Sequence, residues 1–244
     1  MKEDICLQEY PLLLLMMGRE PQYRVREHEV RGSARARGTR QCEESSAGAV
    51  PSARARGSEG EILCKLGGQY MTGTGKIHIY YGNGKGKTTA AVGQIVRAAG
   101  SGLRVLVFQF LKDNSSSERV ILEQIPNITC LPGREKIKFF NQMNGEEKAE
   151  LKHYNTKALD EIVKFCSPFD VLFLDEILCA VQLGLLNEDK LLRFLEQKPR
   201  GLEIIMTGHD VSERMLGIAD YVTEMMKIKH PFDQGLSARE GIEY

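Results

Sequence analysis

The sequence predicts an α/β fold in which helices cover both faces of a mostly parallel sheet. Three observations carry that prediction. Short runs rich in β-branched and aromatic residues recur at residues 76–81, 104–111, 127–131, 169–175 and 202–208,. Segments with helical spacing or helix caps lie between several of them, and parallel neighbours need such crossovers. A glycine-rich turn joins the first run to the first helix. At 244 residues, 42% hydrophobic and 27% charged, the chain can bury a substantial core in one or two domains,.

The first strand and turn read Lys76-Ile-His-Ile-Tyr-Tyr-Gly82-Asn83-Gly84-Lys85-Gly86-Lys87-Thr88-Thr89. Gly82, Gly84 and Gly86 allow the backbone to curl so that successive N–H groups point at one anion. The helix starting near Lys87 adds the positive end of its dipole. Lys87 is placed to reach phosphates and the Thr88 hydroxyl to hold Mg²⁺. The usual phosphate-loop spacing requires glycine five residues before Gly86, where Tyr81 stands. The loop is therefore a compact variant, with Gly82 taking the turn one residue later. A glycine-lysine surface turn is the plainer alternative.

The remaining elements follow in order. Ala91, Ile95, Val96 and Ala99 predict the buried face of the first helix, and Gly100 its stop,. Residues 104–111 read as a buried strand. Ser115 with Glu118 predicts a capping box for a short helix ended by Pro126, and residues 127–131 a third strand,. Asn144 with Glu147 opens a longer helix whose core stripe is Leu151, Tyr154, Ala158, Ile162 and Phe165,. Residues 169–176 form an apolar strand ending in Asp175-Glu176, a Walker B pattern that sets a carboxylate beside nucleotide-bound Mg²⁺,. Acids that merely cap a helix are the alternative. After the strand at 202–208, Asp210 and Glu213 are expected to cap a short helix. Phosphate loop and acidic strand end together specify a three-layer P-loop NTPase (RecA-like) fold with about six strands.

Composition excludes several classes. Formal net charge is zero, which gives no general argument for nucleic acid or an anionic membrane and leaves a local basic patch as the alternative,. Cys6, Cys42, Cys64, Cys130, Cys166 and Cys179 contain no C-x-x-C pair, so free thiols in a reducing cytoplasm are expected,. The scattered histidines offer no site for a protein-ligated transition metal. Leu12 to Met17 is too short to span a bilayer, and Glu3, Asp4 and Glu9 precede it where a signal peptide carries positive charge,. Residues 31–58, with the near-repeats at 33–38 and 52–57, have no apolar periodicity and are expected to be disordered,. Gly67-Gly68 can be encoded by a purine run like a bacterial ribosome-binding site, just upstream of Met71. The expectation is that residues 1–70 are a disordered extension of translated upstream sequence, that the natural protein starts at Met71 and that the domain is 71–244. An intact mass that includes residues 1–70, measured on protein from source cells, would exclude this.

From Met71 onward the chain closely resembles the P-loop-type ATP:corrinoid adenosyltransferases, the cob(I)yrinic acid a,c-diamide adenosyltransferase family. The shared elements are the loop Gly82 to Thr88, Gln109-Phe-Leu-Lys112, Leu174-Asp175-Glu176, Thr207-Gly208, Ala219-Asp-Tyr-Val-Thr-Glu-Met225, and the tail Lys229-His-Pro-Phe-Asp-Gln-Gly235 ending in Gly241-Ile-Glu-Tyr244. The resemblance implies transfer of the 5′-deoxyadenosyl group of ATP to Co(I) of a corrinoid, with release of triphosphate. It also implies that ATP lies reversed in the loop, its γ-phosphate where other P-loop proteins hold an inner phosphate. Lys85 and Lys87 would then stabilise the leaving triphosphate; Thr88, Asp175 and Glu176 would hold Mg²⁺, with Mn²⁺ as a substitute. Glu176 is assigned to the metal because no water needs activation. Lys85 as a solvated loop lysine is the alternative. Family members place aromatic side chains against the corrinoid's lower face to expel an axial ligand. This chain has no tryptophan, so Phe139 and Phe140 are the candidates, with core packing as the competing role. His209 stands where arginine is common, which puts a phosphate contact there in doubt. A low-potential reductant such as a flavoprotein, and a homodimer, are further implications. A P-loop ATPase or kinase, or a nucleotide-dependent binding module, remains the alternative class; the kinase or ATPase would make ADP without a corrinoid.

Overall fold

The computed structural model describes residues 73–243, so the expectations for residues 1–70 lie outside the described residues. Six parallel strands form one sheet: β1 (Ile77–Tyr81), β2 (Val105–Gln109), β3 (Ile128–Cys130), β4 (Val171–Asp175), β5 (Glu203–Thr207) and β6 (Tyr221–Glu224). Their order is β3-β2-β4-β5-β1-β6. The helices are α1 (Lys87–Gly100), α2 (Ser117–Leu122), α3 (Gly145–Phe165), α4 (Ile177–Gln182), α5 (Glu188–Gln197) and α6 (Glu213–Ile218).

Strand alternation divides the core in two. Val105, Val107, Val171, Phe173 and Ile205 pack on one face with Ala91 and Ile95 of α1 and Leu122 of α2,. On the other face Leu106, Phe108, Leu172, Leu174, Ile204 and Met206 pack with Leu159 and Ile162 of α3, Ile177 of α4, Leu191 of α5 and Met215 of α6. Three layers result, as expected. Strands buried on both faces read as continuous apolar runs, which is why β2 and β4 are buried at every position,.

Several local expectations need correction. Val96 is exposed rather than packed on the α1 face. Helix α1 runs through Gly100; the left-handed turn is at Gly102, where Leu103 N–H reaches back to the Ala98 carbonyl at 3.1 Å,. Ser115 does not cap α2, because its hydroxyl and N–H both bond Asp113, and Ser116 occupies the N-cap position. Asp210 does not cap α6 either: it accepts from Gln182, while Ser212 accepts the Met215 N–H at 3.2 Å. Helices α4 and α5 were not anticipated. Asn187 caps α5 by accepting the Lys190 N–H at 2.9 Å, with Glu188 and Asp189 in the first turn,. The expected box at Asn144 and Glu147 is present in both directions, at 2.8 and 2.9 Å.

Candidate active site

The C-terminal ends of β1, β2, β4 and β5 converge on one edge of the sheet, where ligands of open parallel sheets bind,. The turn after β1 brings Gly82 to Thr89 there. Gly82 and Gly86 have φ of 111° and 112°, a region that suits glycine. Two loop amides are not free for an anion: Gly82 N–H donates to the His209 carbonyl at 2.9 Å and Gly84 N–H to the Met225 carbonyl at 2.6 Å. The expectation that successive loop N–H groups point at one anion therefore does not extend to those of Gly82 and Gly84. These bonds tie the loop to the segments that follow β5 and β6, and helix geometry leaves the first-turn amides of α1 without intrahelical partners,. Asn83 serves as a structural brace, its Oδ1 accepting Lys227 N–H at 2.8 Å.

Lys85, Lys87, Thr88 and Glu176 lie around one cavity, with Asp175 bonded to Thr88 behind it. Lys87 Nζ donates to the Gly84 carbonyl at 2.8 Å, closing the loop on itself. Lys85 is half exposed and its Nζ lies 3.7 Å from Glu243. Thr88 Oγ1 donates to Asp175 Oδ1 at 3.0 Å. Asp175 is fully buried, and Thr207 Oγ1 also donates to its Oδ1, at 2.7 Å. Its Oδ2 accepts from Lys112 Nζ at 2.7 Å and Gln109 Nε2 at 3.3 Å. Burial works against the charged form of Lys112, but the attraction of Asp175, Glu118 and Glu176 outweighs it and holds its pKa above the ordinary value,. Glu176 follows in left-handed backbone with φ 58°. Its N–H donates to Thr207 Oγ1 at 2.8 Å, while its side chain lines the cavity over the loop.

That cavity, about 320 Å³, is closed on its far side by the tail: His230, Phe232, Leu236, Ile242 and Glu243 join Lys85 to Thr89 around it. In the sequence the tail carries a family resemblance but no residue assigned to the site. Its folding back depends on the Gly84–Met225 and Asn83–Lys227 bonds, which neither periodicity nor spacing reveals. Arg239 holds Glu243 through three hydrogen bonds of 2.9 to 3.1 Å and, with Lys85, lowers its carboxyl pKa to about 2.

His209 is exposed and its side chain does not line the cavity; its backbone acts instead, accepting from Gly82 and donating to Cys179 Sγ at 3.2 Å. Phe139 is 81% exposed, which removes core packing as its role. Phe140 is half-buried, with Lys148 Nζ 4.1 Å from its ring centre. The segment leading to both is anchored to the turn after β2, where Gly133 N–H donates to Asn114 Oδ1 at 2.7 Å.

The family model described as ATP:corrinoid adenosyltransferase BtuR/CobO/CobP matches residues 73–244. A corrinoid adenosyltransferase of Escherichia coli (strain K12) is 32% identical over 178 residues, covering 70% of this chain and 86% of that protein. One from Salmonella typhimurium is 32% identical with the same coverage of both chains. Another, from Sinorhizobium, is 31% identical over 179 residues, 70% of this chain and 80% of its own length.

Proposed function

This chain belongs to the ATP:corrinoid adenosyltransferase family, and from that premise we propose how its residues divide the work of the transfer. The enzyme is a transferase of cobalamin biosynthesis, with ATP as co-substrate and a corrinoid as acceptor. In the proposed reaction Co(I) attacks C5′ of ATP, a C–Co bond forms, the C5′–O bond breaks, and triphosphate leaves with the bonding electrons. The acceptor brings its own nucleophile, so the protein's tasks are positioning and electrostatics.

Residues 85–89 are assigned to the triphosphate, with Gly82, Asn83 and Gly84 shaping the loop. Amides from Lys85 onward, with Lys85 and Lys87, meet the charge that builds on the leaving group. Lys87 must exchange the Gly84 carbonyl, and Lys85 its Glu243 partner, for phosphate oxygens. The apolar tail residues Phe232, Leu236 and Ile242, across the same cavity, suit the adenosine,. Thr88 and Glu176, at the cavity, offer a hydroxyl and a carboxylate, a donor set that fits Mg²⁺ or Mn²⁺,, while Asp175, its oxygens taken by protein donors, acts through Thr88. A cation held there would neutralise part of the triphosphate charge. Of the two acids that end β4, Glu176 lines the cavity; Asp175 stands behind Thr88 and orients its hydroxyl. Phe139, exposed on the segment after β3, is the candidate for the corrinoid's lower face. A low-potential reductant and a second copy of the chain belong to the same proposal, supported by the family resemblance alone.

One observation carries this reading: the Thr88–Asp175 bond sits where the free amides of α1, Glu176 and the folded-back tail meet. The test is anaerobic incubation with MgATP and chemically reduced cob(I)alamin, followed by visible spectroscopy and identification of the phosphate product. Adenosylcobalamin with triphosphate is expected; corrinoid-independent ADP formation would identify an ordinary P-loop ATPase or kinase.

A further inference from the structure

Asp175 has a complete set of protein partners. Two hydroxyls fill its Oδ1 side and Lys112 with Gln109 fills Oδ2, in a position with no solvent exposure. Lys112 is placed there by an unusual turn. β2 and β4 pair with Gln109 opposite Asp175, and Phe110 N–H donates to the Asp175 carbonyl at 2.8 Å. Leu111 then takes left-handed backbone, φ 56°, sparsely populated for a branched side chain,. That reversal carries Lys112 back over the end of β4. Glu118 of α2 holds the pair from the other side, accepting from Gln109 Nε2 at 2.9 Å and from Lys112 Nζ at 3.4 Å. Lys112 does not line the cavity over the loop.

We propose that Lys112 is a positioning residue: by anchoring Asp175 Oδ2 it turns Oδ1 to Thr88, which must donate its hydroxyl proton inward and therefore presents its lone pairs to the nucleotide's cation. A hydroxyl has one proton, so its acceptor fixes where its lone pairs point. A charge-assisted bond to Lys112 restrains the carboxylate more strongly than a neutral donor would. Gln109 alone, at 3.3 Å and shared with Glu118, is the weaker restraint. The inference deepens the proposed function and rests on its placing the cation at Thr88.

The test measures equilibrium binding of ATP to the full chain in EDTA and across a Mg²⁺ titration, alongside adenosylcobalamin formation. In Lys112→Met the Mg²⁺ needed for half-maximal binding rises about tenfold, the usual consequence of losing an outer-shell partner. Binding in EDTA stays near the wild-type value, the rate at saturating Mg²⁺ largely recovers, and Lys112→Arg restores most of the Mg²⁺ response. Lys198→Met serves as the control for lost stability, since Lys198 donates to the Gly75 and Leu202 carbonyls at the opposite ends of β1 and β5. It is expected to lower the melting temperature without moving the Mg²⁺ midpoint. Equal weakening with and without Mg²⁺ in Lys112→Met would mean that Lys112 contacts the triphosphate directly, and would overturn the proposal. An unchanged or lower Mg²⁺ midpoint would also overturn it. If Lys112→Met does not fold, Lys112→Gln gives the same comparison. Failure of wild type to form adenosylcobalamin would instead count against the functional reading, because the binding titrations stand without turnover.

Discussion

Gly82 and Gly84 show at the residue scale why two positions of the loop tolerate no side chain. A Cβ on Gly82 would lie 2.5 Å from the Met225 carbonyl oxygen, and one on Gly84 would lie 2.7 Å from it. The obstacle is backbone in both cases, so alanine at either position should cost about 1–3 kcal/mol and weaken nucleotide binding, as thermal melts and ATP titrations would show. The sequence makes these glycines legible as loop formers but not the acceptors of their amides, because His209 and Met225 are distant in the chain. Phe139 gives a second test. A wedge against the corrinoid matters only while Co(II) is being reduced. Phe139→Ala should therefore slow adenosylation from cob(II)alamin with a reductant about tenfold, near 1.4 kcal/mol. Supplied cob(I)alamin should react at close to the wild-type rate, and an equal loss in both assays would assign Phe139 to binding or folding.

At the scale of elements, local signals fared best where a helix is fixed by its own neighbours in sequence. The Asn144–Glu147 box was readable and is present, and Lys138 extends it by pairing with Glu147 at 2.5 Å, joining α3 to the segment that carries Phe139. Asn144→Ala should destabilise the fold by about 1 kcal/mol, measured by denaturant titration. Caps failed where a competing partner was remote or adjacent in an unexpected way: Ser115 turns to Asp113, and Asp210 to Gln182. The tail is the element that sequence least explained. Arg239 and Lys85 depress the Glu243 pKa to about 2, so the ionised form is favoured in the folded tail. This contribution is complete above the ordinary value of 4.5 and is lost as pH falls from there towards 2,. Hydrogen exchange over residues 227–243 should show protection that is steady above pH 4.5 and declines below it. In Arg239→Ala that protection should already be reduced at pH 7.

Across the whole molecule, the site exists only because the sheet order sets β1, β4 and β5 side by side and brings the ends of β2 and β4 into register. A ligand bridging loop, strand ends and tail should stabilise the entire fold. MgATP at a hundred times its Kd is expected to add about 2.7 kcal/mol to unfolding. Lys87→Met should abolish that gain while leaving the unliganded melting temperature little changed. Among the described residues no helix is long and apolar enough to cross a membrane. By itself the sequence determined the layered parallel fold, the phosphate loop, the acidic strand end and the family. Those features are periodic or contiguous, and hydrophobic alternation and turn chemistry act over a few residues. Only the tertiary structure decided which loop amides remain free, that Asp175 is saturated by Lys112, Gln109, Thr88 and Thr207, and that residues 230–243 wall the cavity. Each of those depends on hydrogen bonds between residues far apart in the chain, and only the packed sheet brings such partners within reach.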